Sequence, residues 1–235
     1  MPALTAAAAQ AAIHALAQPA RAALLARFFK TGPGEYGAGD QFLGLTMPQQ
    51  RILAKEFVRL PLPEVERLVQ SPWHECRSVG LIIWTLQFAQ APEPARRAIY
   101  ERYLANRAHI NNWDLVDITG PHILGGYLLH QDRAPLYALA AENHLWSQRL
   151  AIISTLAFIR QGQFQDTLVL AGQLLSHPHD LIQKAVGWML REVGKRNEDA
   201  LEEFLHDHSA RMPRTMLRYS IERLPAARRR FHLRK

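Results

Sequence analysis

The sequence predicts an all-α chain, a solenoid of HEAT-like helical repeats, and two observations carry that prediction. Apolar residues recur at three- and four-residue spacing over residues 49–58, 79–89, 113–129, 149–159, 182–193 and 216–224, while strand-like alternation is absent. A basic residue also recurs at the start of an apolar helix, in Glu75-Cys76-Arg77-Ser78-Val79, Ser147-Gln148-Arg149-Leu150-Ala151 and Ile182-Gln183-Lys184-Ala185-Val186. Arg77, Trp113, Arg149 and Lys184 are separated by 36, 36 and 35 residues, the period of stacked helix pairs. Equivalent positions of a solenoid line up on one surface, usually the concave face, so these four residues are expected to form one row. The signature residues of tetratricopeptide repeats are missing, which favours the HEAT-like form.

The elements follow in order, within one domain over 1–235. Residues 1–45 hold N-terminal helices and a glycine-rich loop, 46–225 the helix pairs, and 226–235 a basic tail. The alanine-rich run over 3–26 is acid-poor, with no acidic residue before Glu35. It resembles a transit peptide in that respect, but alanine is the best helix former. Leu16, Leu24, Leu25, Phe28 and Phe29 provide an apolar face, so a helix docked on the domain is expected. Its uncharged first 20 residues lack the basic start of a secretory signal. The stretch Thr31-Gly32-Pro33-Gly34-Glu35-Tyr36-Gly37-Ala38-Gly39 lacks the strand and lysine of a phosphate loop and reads as a plain loop. Pro61, Pro72, Pro92, Pro135, Pro178 and Pro213 punctuate the later helices, and Gly120-Pro121 should break the helix that starts at Trp113. About a dozen helices are expected.

Composition narrows the function classes. The longest strongly apolar run, 150–159, is too short to cross a bilayer, so no membrane partner is expected. One cysteine, Cys76, excludes a disulfide framework and suits a cytoplasmic protein. It also leaves no thiolate zinc site, and the 11 histidines show no metal-ligand spacing, so no metal is expected. The net charge of +7, carried mostly by arginine, points to a polyanionic partner, because guanidinium forks match phosphate oxygens. The tail from Arg228-Arg229-Arg230 to Arg234-Lys235 is expected either to contact phosphate or to be a frayed end.

The most informative local pattern is His109-Ile110-Asn111-Asn112-Trp113-Asp114-Leu115-Val116-Asp117. Asn112 is a natural N-cap, which places Trp113 and Asp117 one turn apart on one helical face. An aromatic plane beside a fixed carboxylate suits a cation, or a transition state that becomes cationic. Lys184 and Trp188 share the same four-residue offset, so repeat arithmetic places Trp188 in the same tier as Asp117. For Arg191 and Glu192 a solvated or ion-paired surface role is expected.

Asn111-Asn112-Trp113-Asp114-Leu115-Val116-Asp117, the helix opening at Gln148-Arg149, and Gln183-Lys184-Ala185-Val186-Gly187-Trp188-Met189-Leu190-Arg191-Glu192 together resemble the AlkD-type DNA alkylation-repair glycosylases. Gly34-Glu35-Tyr36-Gly37 and Phe42-Leu43-Gly44 are also similar to that family's N-terminal region. The resemblance implies duplex DNA in a concave face and excision of N3- and N7-alkylated purines without metal or cofactor. It assigns Trp113, Trp188 and Asp117 to the damaged nucleotide and Arg149 to backbone phosphate. Apart from the resemblance, Lys184, Arg77, Arg214 and Arg218 are expected as further phosphate ligands. The resemblance leaves Tyr36 and Phe29 as alternatives for an aromatic near the DNA. A monomeric, monofunctional glycosylase is expected. The rivals are a non-enzymatic DNA-binding solenoid and a scaffold for acidic proteins. Neither needs a carboxylate in a phosphate-binding groove.

Overall fold

The computed structural model describes residues 4–234. Ala3, in the alanine-rich run, and Lys235, at the end of the tail, lie outside the described residues. The chain divides into two compact units, Met1–Ile123 and Leu124–Lys235. The first contains α1 (Ala6–Ala15), α2 (Pro19–Phe28), α3 (Met47–Glu56), α4 (Leu62–Val69), α5 (His74–Gln90), α6 (Glu93–Ala105) and α7 (Trp113–Thr119). The second contains α8 (Leu124–Leu128), α9 (Ala134–Ala141), α10 (Leu145–Ser154), α11 (Leu156–Arg160), α12 (Gln165–Gln173), α13 (Asp180–Gly194), α14 (Glu198–His208), α15 (Arg214–Ser220) and α16 (Ala226–Arg234). Among the described residues there is no strand, only a single bridge between Gln41 and Trp73.

The fold class is therefore all-α, and the packing has the period expected of helical repeats. In the first unit α3 packs on α5 and α5 on α7, while α4 pairs with α5. In the second, α10 packs on α13 and α13 on α15, with α9, α12 and α14 as their outer partners. The count exceeds a dozen because two long apolar runs are interrupted. The run from Trp113 breaks at Gly120-Pro121, as expected, and the run from Arg149 breaks at Thr155. Each unit has its own core, exemplified by Val65, Leu68, Trp84 and Tyr103 in one and Ile153, Phe158, Val186 and Leu190 in the other, all fully buried. Burying each such side chain contributes about 1.5–3 kcal/mol.

The N-terminal expectation needs correction. Pro19 splits the alanine-rich run, and only α1 docks, through Ala6, Ala9 and Ile13 on one face. α2 buries none of its residues. Leu24 and Phe28 are 58% and 62% exposed, whereas Phe29, just past the helix end, is turned inside. The basic tail is neither frayed nor isolated: most of it forms α16. His232 is buried and bonds Glu202 across 2.8 Å, and Arg228 pairs with Glu198, so α16 is fastened to α14.

A buried polar cluster holds the first unit together. The His74 ring, at the first turn of α5, bonds Asp40 through Nδ1 at 3.0 Å and Asp114 through Nε2 at 2.9 Å. Burial alone would lower its pKa, but the two carboxylates outweigh that, Asp114 foremost, and push it up to about 9. At neutral pH the ring is an imidazolium that ties the glycine-rich loop, α5 and α7 to one another. Asp40 also pairs with Arg77. Burial raises the Asp40 pKa, but His74 and Arg77 overcome this and hold the carboxyl below its usual value. Next to it, Glu75 is fully buried and accepts from the backbone N–H groups of Leu43, Gly44 and Leu45 at 2.8, 2.7 and 3.2 Å. Gly44 makes that grip possible: its φ is +91° and a Cβ there would lie 2.4 Å from the Gln18 carbonyl oxygen.

In the second unit the contact between α13 and α15 closes at Gly187. A Cβ there would lie 2.5 Å from Tyr219 Cβ and 2.6 Å from the Met216 carbonyl oxygen. In an open helix Gly→Ala stabilises by about 1 kcal/mol. Gly187→Ala is instead expected to destabilise by about 1–3 kcal/mol in chemical denaturation, because the helices must part. A stabilised variant would contradict this packing.

The His74 cluster has a pH signature. A group whose folded pKa is raised stabilises fully below its unfolded value, near 6.5, and loses that contribution as pH rises through about 9. The loss amounts to about 3 kcal/mol. The thermal midpoint should therefore fall between pH 7 and 9.5. His74→Gln should be less stable at pH 6.5 by about 3–5 kcal/mol and should lack that alkaline decline. An equal decline in both proteins would remove His74 as its cause.

Candidate functional site

The local sequence explains how α7 presents its residues. Asn112 caps the helix as expected, its side-chain oxygen accepting from the Trp113 N–H at 2.9 Å. Its amide points to Asp40 at 3.5 Å, which joins the cap to the buried cluster. Asp114, in the first turn, carries the carboxylate that His74 holds, and negative charge is favoured at that helix end. With Asp114 fixed inside, Trp113 and Asp117 fall on a half-buried face of α7. Asp117 adds to the rise in the Tyr103 pKa, which is driven mainly by burial, so its charge is felt at a hydroxyl that bonds Thr119 at 2.7 Å.

Trp113 ends an aromatic stack. Phe42 lies on His74 with centroids 4.4 Å apart, Phe29 on Phe42 at 5.1 Å, and Trp113 on Phe29 at 5.3 Å and 26°. Phe28 meets the Trp113 edge at 6.0 Å in a T-shaped contact. Of the two N-terminal aromatics expected near the site, Phe29 is the one stacked on Trp113, while the Tyr36 hydroxyl donates to the Phe28 carbonyl at 3.4 Å. The sequence reading missed Phe28 as a neighbour of Trp113, and His74 as its support. No local signal marks that support, because Asp40 and Asp114 lie 34 and 40 residues from His74.

Arg77 must be corrected. It stands at the repeat position expected of a phosphate ligand, yet it is only 3% exposed. Its guanidinium pairs with Asp40 and donates to the carbonyls of Ser71 and Pro72 at 3.0 and 3.1 Å. Spacing located its helix correctly, but a buried carboxylate from the loop claims the side chain.

In the second unit, Arg149 is the fifth residue of α10 and Lys184 the fifth of α13, so their shared register holds. Arg149 is 5% exposed and donates to the Leu181 carbonyl, joining α10 to the helix that carries Lys184 and Trp188. Lys184 is ion-paired with Asp180 on its own helix. Trp188 is half-buried on α13, one turn before Glu192. Burial would raise the Glu192 pKa, but Lys195 at 2.6 Å, Arg196 at 3.3 Å and the indole together hold it low. Glu192 is thus ion-paired, as expected of it. Arg191 is ion-paired with Glu222, as expected. Arg214 and Arg218 are exposed on α15, where Arg214 donates to the Leu233 carbonyl at 3.1 Å. No described helix is long and apolar enough to cross a membrane.

The comparisons with known proteins agree with this architecture. A solved structure from Enterococcus faecalis, described as a "predicted DNA alkylation repair enzyme", superposes with a TM-score of 0.70 at 19% identity. The alignment covers 89% of this chain and 97% of that one, and at this identity it shows the shared fold. A search of curated proteins returned no match. The family model for "DNA alkylation repair enzyme" matches residues 9–224, which span α7, α10 and α13 with all their candidate residues. The chain belongs to the DNA alkylation repair enzyme family.

Proposed function

We propose that the protein is a monofunctional DNA glycosylase that hydrolyses the N-glycosidic bond of cationic N3- and N7-alkylated purines in duplex DNA, leaving an abasic site. The observation that carries this reading is the Trp113–Asp117 pair on α7, an indole and a carboxylate one turn apart in a chain of a DNA-repair family.

The chemistry requires little more. Ordinary glycosidases use two carboxyl groups, one to protonate the leaving group and one for the oxocarbenium-like ion. An N3- or N7-alkylated purine is already cationic and departs as a neutral base without a proton. One carboxylate then suffices, and Asp117 stabilises the positive charge growing on the deoxyribose and orients or deprotonates the attacking water. Trp113 and Trp188 pack against the sugar and favour its cationic state. Since the leaving group is activated by its own charge, the reaction calls on no metal or cofactor, and with no lysine nucleophile the strand stays unbroken.

Binding is assigned to the exposed arginines of α15, Arg214 and Arg218, and to Lys184, through backbone phosphates that set position without reading sequence. Arg149 is assigned to backbone phosphate through its register with Lys184, each the fifth residue of its helix. Only Arg77 leaves this set.

Asp117→Asn is expected to reduce release of 7-methylguanine or 3-methyladenine from methylated duplex by about 100-fold or more, with DNA affinity equal or better. Undiminished excision would remove Asp117 from the mechanism. Arg149→Ala is expected to weaken binding to damaged and undamaged duplex alike and to flatten its salt dependence by about one phosphate contact. A change in lesion preference alone would show that Arg149 does not bind phosphate.

A further inference from the structure

The positive charge of the chain is concentrated at one end. Residues 209–235 hold nine basic residues against one acidic residue, whereas residues 1–208 hold 19 basic against 20 acidic. The whole excess behind the net charge of +7 is therefore borne by the α15–α16 segment. The family match ends at residue 224, so α16 lies beyond it.

The structure sorts these arginines by face. On one side of α16, Arg228 and His232, one turn apart, are taken up by Glu198 and Glu202 of α14. On the other side, Arg229 and Arg230 join Arg218 of α15 around an open hollow of about 420 Å³, floored by Ile221 and Leu233. The one carboxylate at its rim, Glu222, is paired with Arg191 of α13, so its charge is already compensated. Arg218 and Arg230 make no ion pair among the described residues, and all three arginines are exposed. Arg229 donates to the Glu222 backbone carbonyl at 3.4 Å, and Arg214 ties α15 to the end of α16. The site is thus mounted on a braced pair of helices. α15 in turn is keyed onto α13 at Gly187, the residue before Trp188.

We propose that Arg218, Arg229 and Arg230 form a phosphate clamp for the backbone of duplex DNA, built by α15 and the additional helix α16. It rests on the reading of this protein as a DNA-acting enzyme and deepens it. Phosphodiester is the ligand this chemistry selects: three guanidinium forks at the rim and no unpaired carboxylate. Because the remaining 208 residues carry almost no net charge, the C-terminal segment that holds the clamp supplies most of the long-range attraction to DNA. It should hold undamaged and damaged duplex equally.

The test is the salt dependence of affinity for an undamaged duplex, which does not require base excision and so stands or falls separately from the glycosylase reading. In R218Q/R229Q/R230Q the slope of log K against log salt should fall by about 2–3, at about 0.9 per phosphate. Affinity at about 0.1 M salt should fall at least about ten-fold, converging with the parent at high salt. A charge-matched variant, R59Q/R67Q/R97Q, on exposed arginines elsewhere, should retain the parental slope to within about 0.5. If the Gln variant loses thermal stability, the Arg→Lys triple restores the charge and should restore the slope. A parental slope in the Gln triple, equal losses in the two Gln triples, or a loss seen only on anionic phospholipid vesicles or single-stranded RNA would each overturn the clamp.

Discussion

The imidazolium of His74 is the interaction on which the first unit depends. Two carboxylates, from the glycine-rich loop and from the first turn of α7, converge on one buried ring, and each would be costly to bury without it. Because Asp114 is the residue after Trp113 and three before Asp117, holding it inside sets the rotation of α7 about its axis. In that rotation Trp113 and Asp117 are half-buried. The same ring starts the stack that backs Trp113 through Phe42 and Phe29. Fold and candidate site therefore share one electrostatic anchor.

The second unit relies on close approach rather than buried charge. Gly187 lets α13 and α15 touch through backbone, and the residue beside it is Trp188. Preorganised groups contribute more to a cationic transition state than groups that must reorder.

Much of this was legible in the sequence because it depends on local rules. The helical period, the breaks at proline, the Asn112 cap and the offset of Trp113 and Asp117 all follow from short-range geometry, and the Trp113 and Trp188 motifs identify the family. What escaped depends on partners distant in sequence. The register of Arg77 was correct, but nothing local reveals that Asp40, 37 residues earlier, occupies its guanidinium. The apolar pattern of 16–29 was read as a docking face, yet amphipathicity does not say which part is covered, and only Phe29 is. The basic tail was expected either to contact phosphate or to fray, because its pairing with Glu198 and Glu202 crosses helices and leaves no local mark.

The central claim is that the Trp113–Asp117 pair of α7 stabilises a cationic transition state in alkylpurine excision. The most direct measurement is base release by the unmodified protein from N-methylpurine-containing duplex, with the product strand analysed before and after alkaline treatment. The account predicts free 7-methylguanine and 3-methyladenine, and a strand that is intact until alkali cleaves it at the abasic site. Methylated duplex that binds the protein yet releases no base, with bulky cationic adducts equally inert, would contradict it.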